Sequence, residues 1–153
     1  MANTYTQIHI QVVFAVKFRH SLIQKSWKDE LYKYMTAIIQ NHDHKVLQIN
    51  GMPDHIHILI GLRPTQALSD LMKQVKHDST VWINSKKLTT KRFAWQEGFG
   101  AFSYSKSHVP RVIKYIQNQE EHHRIKTLNE EYINLLKEND VDYNEYYIFK
   151  ELE

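Results

Sequence analysis

The stretch PDHIHILI, residues 53–60, determines most of what this sequence predicts about the fold. Its residues Ile56, Ile58 and Ile60 recur with the period of two that characterises a β-strand. One face of the strand therefore carries the isoleucines, and the opposite face carries His55 and His57. Two residues along a strand are about 6.6 Å apart, so both imidazoles can turn toward one cation. At this point a pair of surface histidines on an edge strand is an equally good interpretation.

Strands and helices are predicted on both sides of this stretch. The predicted strands, bounded by turn residues or marked by alternation, cover 5–18, 46–50, 55–62 and 100–104, with a further extended segment at 92–95. Apolar residues at helical spacing predict helices over 26–41 and 65–86. The order β-α-β-β-α-β is the split-βαβ pattern of the ferredoxin-like fold. We therefore expect an α+β chain with an RRM-like antiparallel sheet, both main helices on one face and the other face open.

Two more helices are predicted after the last strand. The first begins at Ser107, and its residues at spacings of three and four share one face. These residues are His108, Arg111, Tyr115, Gln119 and His122. Thr127 and Glu130 form a capping-box pattern for a short final helix. Taken alone, the polar stripe is what any amphipathic surface helix shows.

Length and composition bound the class of protein. A chain of 153 residues has the size of one domain, and we expect a single domain over 1–153 with a core at about 5–123 and a C-terminal helix and tail at about 127–153. Cysteine is absent, which excludes disulfides, thiolate catalysis and zinc-finger chemistry. The longest apolar run, residues 12–16, is much shorter than a membrane span, and no signal-peptide pattern is present. A cytoplasmic protein without membrane contact is expected.

The basic residues are concentrated in the middle of the chain. The net charge is only +3, from 20 Lys and Arg against 17 Asp and Glu. Basic residues interleaved with aromatic ones suit phosphate contact and base stacking, although a solvated helix face beside core aromatics gives the same pattern. The candidate DNA-binding residues are Lys73, Lys76, Lys86, Lys87, Arg111, Trp95 and Phe99.

Three motifs in a fixed order resemble a known family. They are PDHIH at 53–57, WQEGFGAF at 95–102 and IKYIQNQ at 113–119. Together they resemble the insertion-sequence transposases of the single-tyrosine HUH class, which include those associated with repetitive extragenic palindromes. The resemblance extends from about residue 5 to residue 123. It implies a ferredoxin-like core that cleaves and rejoins single-stranded DNA through a 5′-phosphotyrosine and recognises hairpin ends of a mobile element.

The resemblance also implies roles for individual residues. His55 and His57 would bind a divalent metal, Tyr115 would be the nucleophile, and Gln119 would be the third protein ligand. Because Asn118 and Gln119 occupy the turn after Tyr115, a single-tyrosine mechanism is implied. The mixed nitrogen and oxygen ligands suit Mg²⁺ or Mn²⁺. The resemblance further implies a homodimer in which Tyr115 of one chain meets the histidines of the other.

Three alternative functions fit parts of the sequence less well. A two-histidine phosphoesterase needs two separated His-x-Ser/Thr motifs, and only residues 77–79 provide one, inside a predicted helix. An RRM-like module that binds nucleic acid without cleaving it would carry aromatic residues where His55 and His57 stand. A domesticated transposase that binds hairpin DNA without reacting is the third, and the intact candidate residues favour activity. Tyr104 is the second choice of nucleophile, in a predicted strand without an evident polar partner.

Overall fold

The computed structural model describes residues 3–144 and contains a four-stranded antiparallel sheet. The strands are β1 (His9–Ala15), β2 (Lys45–Met52), β3 (His55–Gly61) and β4 (Gly100–Tyr104). Their order across the sheet is β2-β3-β1-β4, and every neighbouring pair is antiparallel. The predicted α+β class is confirmed, and this strand order is consistent with the predicted ferredoxin-like sheet.

The first strand is shorter than its alternating pattern predicts. It ends at Ala15 instead of continuing to residue 18, because Phe18 and Arg19 have positive φ values of 60° and 56° that bend the chain. The predicted extended segment at 92–95 does not form a strand, and its one sheet-like contact is an isolated bridge between Val16 and Trp95. Apolar alternation therefore continues past the point where the strand stops.

The two main helices, α1 (Lys28–Asn41) and α2 (Leu68–Ser85), cover one face of the sheet. The isoleucines at 56, 58 and 60 are fully buried against them, in the same core cluster as Leu31, Met35, Leu71 and Val75. This is the face that the period of β3 predicts. None of the helices within residues 3–144 has both the length and the apolar character needed to cross a membrane.

The second face of the sheet is covered as well, so the prediction of an open face is wrong. Three helices lie on it: α3 (Val109–Gln117), α4 (Gln119–His123) and α5 (Leu128–Glu138). Leu59 packs with Val112 and Ile116 of α3, and Val13 packs with Leu135 of α5. The physical reason is that this face carries apolar residues between its polar ones, and their burial favours covering it.

The predicted helix that begins at Ser107 is divided in two. A 3₁₀ turn, Lys106–His108, precedes α3, and Asn118 separates α3 from α4. At the break, the Asn50 Nδ2 atom of β2 donates to the carbonyls of Ile116 and Gln117, both at 3.1 Å. A side chain from the sheet thus satisfies carbonyl groups that a continuous helix would have used itself.

The final helix begins where the sequence predicts. Thr127 Oγ1 accepts a hydrogen bond from the Glu130 backbone N–H at 3.2 Å, which confirms the predicted cap. The predicted C-terminal tail is only partly described, because residues 145–153 lie outside the described range. The single-domain boundaries proposed from the sequence remain a prediction.

Gly100, at the start of β4, allows α5 to lie against the sheet. A Cβ atom at this position would overlap the Tyr132 ring of α5. We expect Gly100→Ala to lower the free energy of unfolding by about 1–3 kcal/mol, the usual cost of overpacking, as measured by urea denaturation. Gly61→Ala is the control, because its Cβ would meet the flexible Lys45 side chain at 3.3 Å. Equal losses in both variants would contradict the close contact between α5 and β4.

Candidate active site

The two histidines of β3 lie on the face away from α1 and α2, as the strand period predicts. Their ring centroids are 5.1 Å apart. Neither has any exposed surface, because α3, α4 and α5 cover them. The expectation that His55 and His57 would be exposed is therefore wrong.

Each imidazole is held at Nδ1 by a different kind of side chain. For His55 the partner is Asp54 Oδ1 at 2.7 Å, and for His57 it is Gln11 Nε2 at 3.0 Å. The two Nε2 atoms point inward, toward the helices that cover this face. His55 Nε2 lies 3.1 Å from Gln119 Oε1 of α4. Gln119 is itself fully buried, so the structure brings together the three residues that the motifs nominate as metal ligands.

Glu131 of α5 is a member of this site that sequence reasoning missed. Its Oε1 atom lies 2.9 Å from His57 Nε2, 3.1 Å from His123 Nε2 and 3.4 Å from His55 Nε2. Its side chain is 4% exposed. A signal was available in the sequence, because Leu128, Glu131 and Leu135 recur at spacings of three and four. An acidic residue in an apolar helical stripe must find a partner in the interior.

Charge in the site is shared between Glu131 and the histidines. Burial would raise the pKa of Glu131, but hydrogen bonds with His123, His55 and His57 hold it far below its usual range. Burial also opposes protonation of His55, yet hydrogen bonds with Asp54 and Glu131 raise its pKa to about 9. Burial lowers the pKa of His57. At neutral pH the cluster therefore contains an ionised carboxylate, a protonated His55 and a neutral His57.

Tyr115 of α3 lies at the edge of the same cluster, in its own chain. Its ring stacks on His122 at 4.5 Å between centroids, and it meets the His57 ring edge-on at 5.9 Å. Its hydroxyl donates a hydrogen bond to Glu131 Oε2. Burial and the negative charge of Glu131 raise the pKa of this phenol. The phenol is therefore protonated at neutral pH and needs an acceptor for its proton before it can act as a nucleophile.

The donor atoms of the cluster fit a divalent cation. One atom each from His55, His57 and Glu131 lie within 4.8 Å of one another. Gln119 Oε1 is close to the same atoms, at 3.1 Å from His55 Nε2. Two imidazole nitrogens combined with carboxylate and amide oxygens are a common ligand set for divalent metals. The residues present can therefore hold such an ion.

The candidate DNA-binding residues do not form one surface. Lys73, Lys86, Lys87 and Arg111 are exposed, whereas Phe99 is partly buried. Lys76 is half-buried and donates to the Gln96 carbonyl at 2.9 Å, and burial lowers its pKa to about 8. Trp95 is predicted to stack on a base, but it is only 7% exposed. Its ring packs against Phe14 and Phe93, so its assignment to DNA stacking is corrected.

Tyr104, the second choice of nucleophile, differs from its expected setting. It does have a polar partner, because its hydroxyl donates to Gln11 Oε1 at 2.9 Å. Of the two tyrosines, it is Tyr115 whose hydroxyl contacts Glu131 inside the cluster.

The antiparallel sheet, the histidine pair on β3 and the tyrosine-bearing helix on the same face together define the class that the motifs resemble, the single-tyrosine HUH transposases. A family model described as "Transposase IS200 like" matches residues 4–119. The chain belongs to the IS200-like transposase family. Glu131 lies beyond the matched residues, which is why the family motifs do not point to it.

Individual relatives agree with this assignment. The ISDra2 transposase TnpA of Deinococcus radiodurans is 25% identical over 118 residues, which are 74% of this chain and 84% of that protein. A structure assigned as a transposase of Deinococcus radiodurans R1 has a TM-score of 0.63 at 19% identity, covering 78% of this chain and 95% of that one. A REP-associated tyrosine transposase bound to a REP hairpin has a TM-score of 0.60 at 14% identity, covering 80% and 73%. At these identities the structural matches establish the fold.

Proposed function

We propose that this transposase cleaves and rejoins single-stranded DNA through a covalent bond to Tyr115, with a divalent metal ion bound beside it. The observation that carries the proposal is the convergence of groups in one chain. A tyrosine hydroxyl, two imidazole nitrogens and the oxygens of Gln119 and Glu131 meet in one buried cluster. A purely structural cluster would not need a tyrosine, an amide and a carboxylate around paired histidines.

The covalent step balances with Tyr115 as the nucleophile. The Tyr115 oxygen forms a bond to the scissile phosphorus, and the bond from phosphorus to the 3′ oxygen breaks. The products are a 5′-phosphotyrosine and a free 3′ hydroxyl, which takes up one proton. Attack by a 3′ hydroxyl on the phosphotyrosine reverses these changes and joins two strands without ATP, since the linkage conserves the energy of the bond.

Glu131 and His122 position the Tyr115 hydroxyl. Glu131 Oε2 already accepts the hydrogen bond of the Tyr115 hydroxyl, while Oε1 of the same carboxylate faces the histidines. Because hydrogen bonds hold the pKa of this carboxylate far below its usual range, Glu131 orients the phenol and is not the base that removes its proton. His122 stacks on the tyrosine ring and fixes its plane.

His55, His57, Gln119 and Glu131 are the residues that would hold the ion. Mg²⁺ or Mn²⁺ suits this set, and such an ion would polarise the scissile phosphate and offset charge on the leaving 3′ oxygen. Asp54 accepts at His55 Nδ1 and thereby directs the other ring nitrogen toward the cluster.

The test of the proposal is a covalent adduct that depends on metal. A labelled single-stranded oligonucleotide carrying the palindromic sequence that flanks this gene is incubated with the protein and Mn²⁺ or Mg²⁺. We expect a band that migrates as a protein–DNA adduct under denaturing conditions and disappears in excess chelator. Binding of the hairpin without any adduct would instead indicate a DNA-binding protein that no longer cleaves. An adduct that persists undiminished in chelator would refute the role of the metal.

We also propose that exposed basic residues bind the DNA backbone. The hairpin bound to the REP-associated relative supports hairpin DNA as the ligand. Lys73 of α2, Lys87 just after it, and Arg111 of α3 are exposed and available for phosphate contact. Lys86 is exposed as well, beside Glu30 at 3.9 Å. Phe99 is partly buried and remains a candidate for base stacking, whereas Lys76 is engaged by backbone carbonyls.

Replacing Lys73, Lys86 and Lys87 together with Ala should weaken hairpin binding and flatten its salt dependence. Removing one phosphate neutralisation reduces the slope of log K against log salt by about 0.7–0.9. Fluorescence anisotropy at several salt concentrations measures this slope. Lys25→Ala, just before α1 and paired with Glu120 of α4 at 3.6 Å, is the control. A triple variant with an unchanged slope would show that the DNA lies elsewhere.

We propose that the active site is contained in one chain. The family resemblance predicts a homodimer with shared sites, whereas Tyr115 here lies beside His57 and Glu131 of its own chain. The hydrogen bond of the tyrosine to α5 and its stacking on α4 both support this arrangement.

A further inference from the structure

Gln11 carries a buried amide that contacts His57 at Nδ1, the ring nitrogen that faces away from the candidate metal site. It lies in the middle of β1, and 1% of its surface is exposed. Its Nε2 atom is 3.0 Å from His57 Nδ1, and its Oε1 atom accepts from the Tyr104 hydroxyl at 2.9 Å. Tyr104, Gln11 and His57 thus form a line of side chains across β4, β1 and β3. Buried polar groups on a strand need such partners, but this line also determines where the His57 proton lies.

The contacts assign one tautomer to His57 in the metal-free protein. Glu131 is ionised and can only accept, so the His57 ring proton is on Nε2, and Nδ1 of the neutral ring accepts from the Gln11 amide nitrogen. That proton is directed at Glu131 Oε1, 2.9 Å away. An imidazole can bind a metal through Nε2 only when that nitrogen carries no proton. In this tautomer the Nε2 atom of His57 cannot bind a metal ion.

The correct tautomer needs an acceptor at Nδ1, and Gln11 can supply it. A rotation of about 180° around its last side-chain bond exchanges the amide oxygen and nitrogen. Oε1 then accepts from Nδ1–H of His57, and Nε2 donates to the Tyr104 oxygen, which can accept as well as donate. The ring stays neutral, because it loses a proton at Nε2 and gains one at Nδ1.

His55 provides a comparison within the same strand. Its Nδ1 atom is held by Asp54 Oδ1 at 2.7 Å, and an ionised carboxylate can only accept. His55 therefore keeps its Nδ1 proton with or without a metal. The two histidines therefore differ in their partners at Nδ1. The Gln11 amide beside His57 can reverse its orientation and either donate or accept, whereas the Asp54 carboxylate beside His55 can only accept.

We propose that Gln11 is a positioning residue that sets the tautomer of His57, and that its amide reverses when a metal ion binds. The inference rests on the proposed metal site. It assigns Tyr104 the role of supporting Gln11 in both orientations.

The experiment uses two substitutions and two measurements. Gln11→Leu removes both hydrogen bonds, and Gln11→Glu leaves a group that can only accept. We expect Gln11→Leu to weaken Mn²⁺ binding by about tenfold or more, as is usual for groups behind a metal-ligating histidine, and Gln11→Glu to bind at least as tightly as the unchanged protein. Titration calorimetry measures the affinity. Val12→Ala, which disturbs packing on the opposite face of β1, is the control and should leave Mn²⁺ affinity unchanged.

The second measurement reads the tautomer without metal. Nitrogen-15 NMR of the histidine rings should show His57 protonated at Nε2 in the unchanged protein and carrying a proton at Nδ1 in Gln11→Glu. Equal Mn²⁺ affinity in Gln11→Leu and the unchanged protein, or a Nδ1–H tautomer in the unchanged metal-free protein, would overturn the inference. Absence of any Mn²⁺ binding to the unchanged protein would instead refute the proposed metal site, and the NMR result would still decide whether Gln11 controls the tautomer.

Discussion

Tyr115→Phe is expected to abolish the covalent DNA adduct and to lower cleavage by at least about a thousandfold, since removing a nucleophile eliminates the covalent route. The phenyl ring keeps its stacking on His122 and its edge contact with His57. Folding and hairpin binding should therefore survive. Denaturing electrophoresis of the labelled DNA measures the adduct, and anisotropy measures binding.

A matched control is Tyr34→Phe, on the opposite face of the sheet. The Tyr34 ring stacks on Trp82 at 5.5 Å, so this variant also loses a hydroxyl while keeping an aromatic contact. Its adduct should form at the normal rate. An undiminished adduct in Tyr115→Phe would exclude this residue and turn attention to Tyr104.

The same variant distinguishes a site within one chain from a shared one. Inactive Tyr115→Phe is mixed with inactive His57→Gln, which keeps a polar side chain at the buried position. For a site within one chain, the mixture should stay inactive, because every site carries one of the two defects. Recovery of activity on mixing would establish dimers in which the tyrosine of one chain serves the histidines of the other.

Glu131→Gln is expected to lower both the stability of the fold and the affinity of the site for metal. The carboxylate contacts three histidines and Tyr115 in the interior, and an amide cannot accept from all of them. We expect a loss of about 2 kcal/mol in the free energy of unfolding at neutral pH, the range for hydrogen bonds to charged groups. Mn²⁺ affinity should fall as well. Glu130→Gln is the control, because Glu130 is exposed and Gln also serves in a capping box.

The difference between Glu131→Gln and the unchanged protein should depend on pH. The folded-state pKa of Glu131 is lowered, so its stabilisation is present above the usual value of 4.5 and is lost as the pH falls below it. The pKa of His55 is raised from 6.5 to about 9, so its contribution is complete below 6.5 and is lost as the pH rises through about 9. Urea denaturation of the metal-free proteins should show the largest difference between pH 4.5 and 6.5. A difference independent of pH would contradict an ionic role for Glu131.

Alternation in β3 was enough to predict which face of the sheet carries the histidines. Ile56, Ile58 and Ile60 form a continuous apolar surface. A register shift of one residue would expose all three, so the pattern is compatible with only one register. The burial of His57 could not be inferred in the same way. It depends on Leu59 and Val13, two apolar residues on the histidine-bearing face. Nothing in the local sequence pattern shows that α3 packs on Leu59 and α5 on Val13.

The errors at Trp95 and Asn118 have a common cause. Local pattern identified the residue types, but long-range contacts determined their use: Ser79 of α2 accepts from Trp95 Nε1 at 2.9 Å, and Asn50 of β2 holds the helix break at Asn118. Glu131 was missed for the same reason, because its role also depends on long-range contacts. His57, one of its partners, is 74 residues away along the chain, and no spacing rule connects the two.

The complete burial of His55 and His57 has a thermodynamic consequence for the substrate. Neither histidine has any exposed surface in this conformation, so a DNA phosphate can touch them only in a form in which a covering helix, such as α5, has moved. If about one molecule in a hundred is open, the apparent Kd is about a hundredfold weaker than that of the open form, or about 2.7 kcal/mol. Packing that stabilises α5 in its covering position, including the contact of Tyr132 over Gly100, therefore weakens the apparent affinity for DNA. Tighter packing of α5 therefore raises the stability of the fold and lowers its affinity for the substrate.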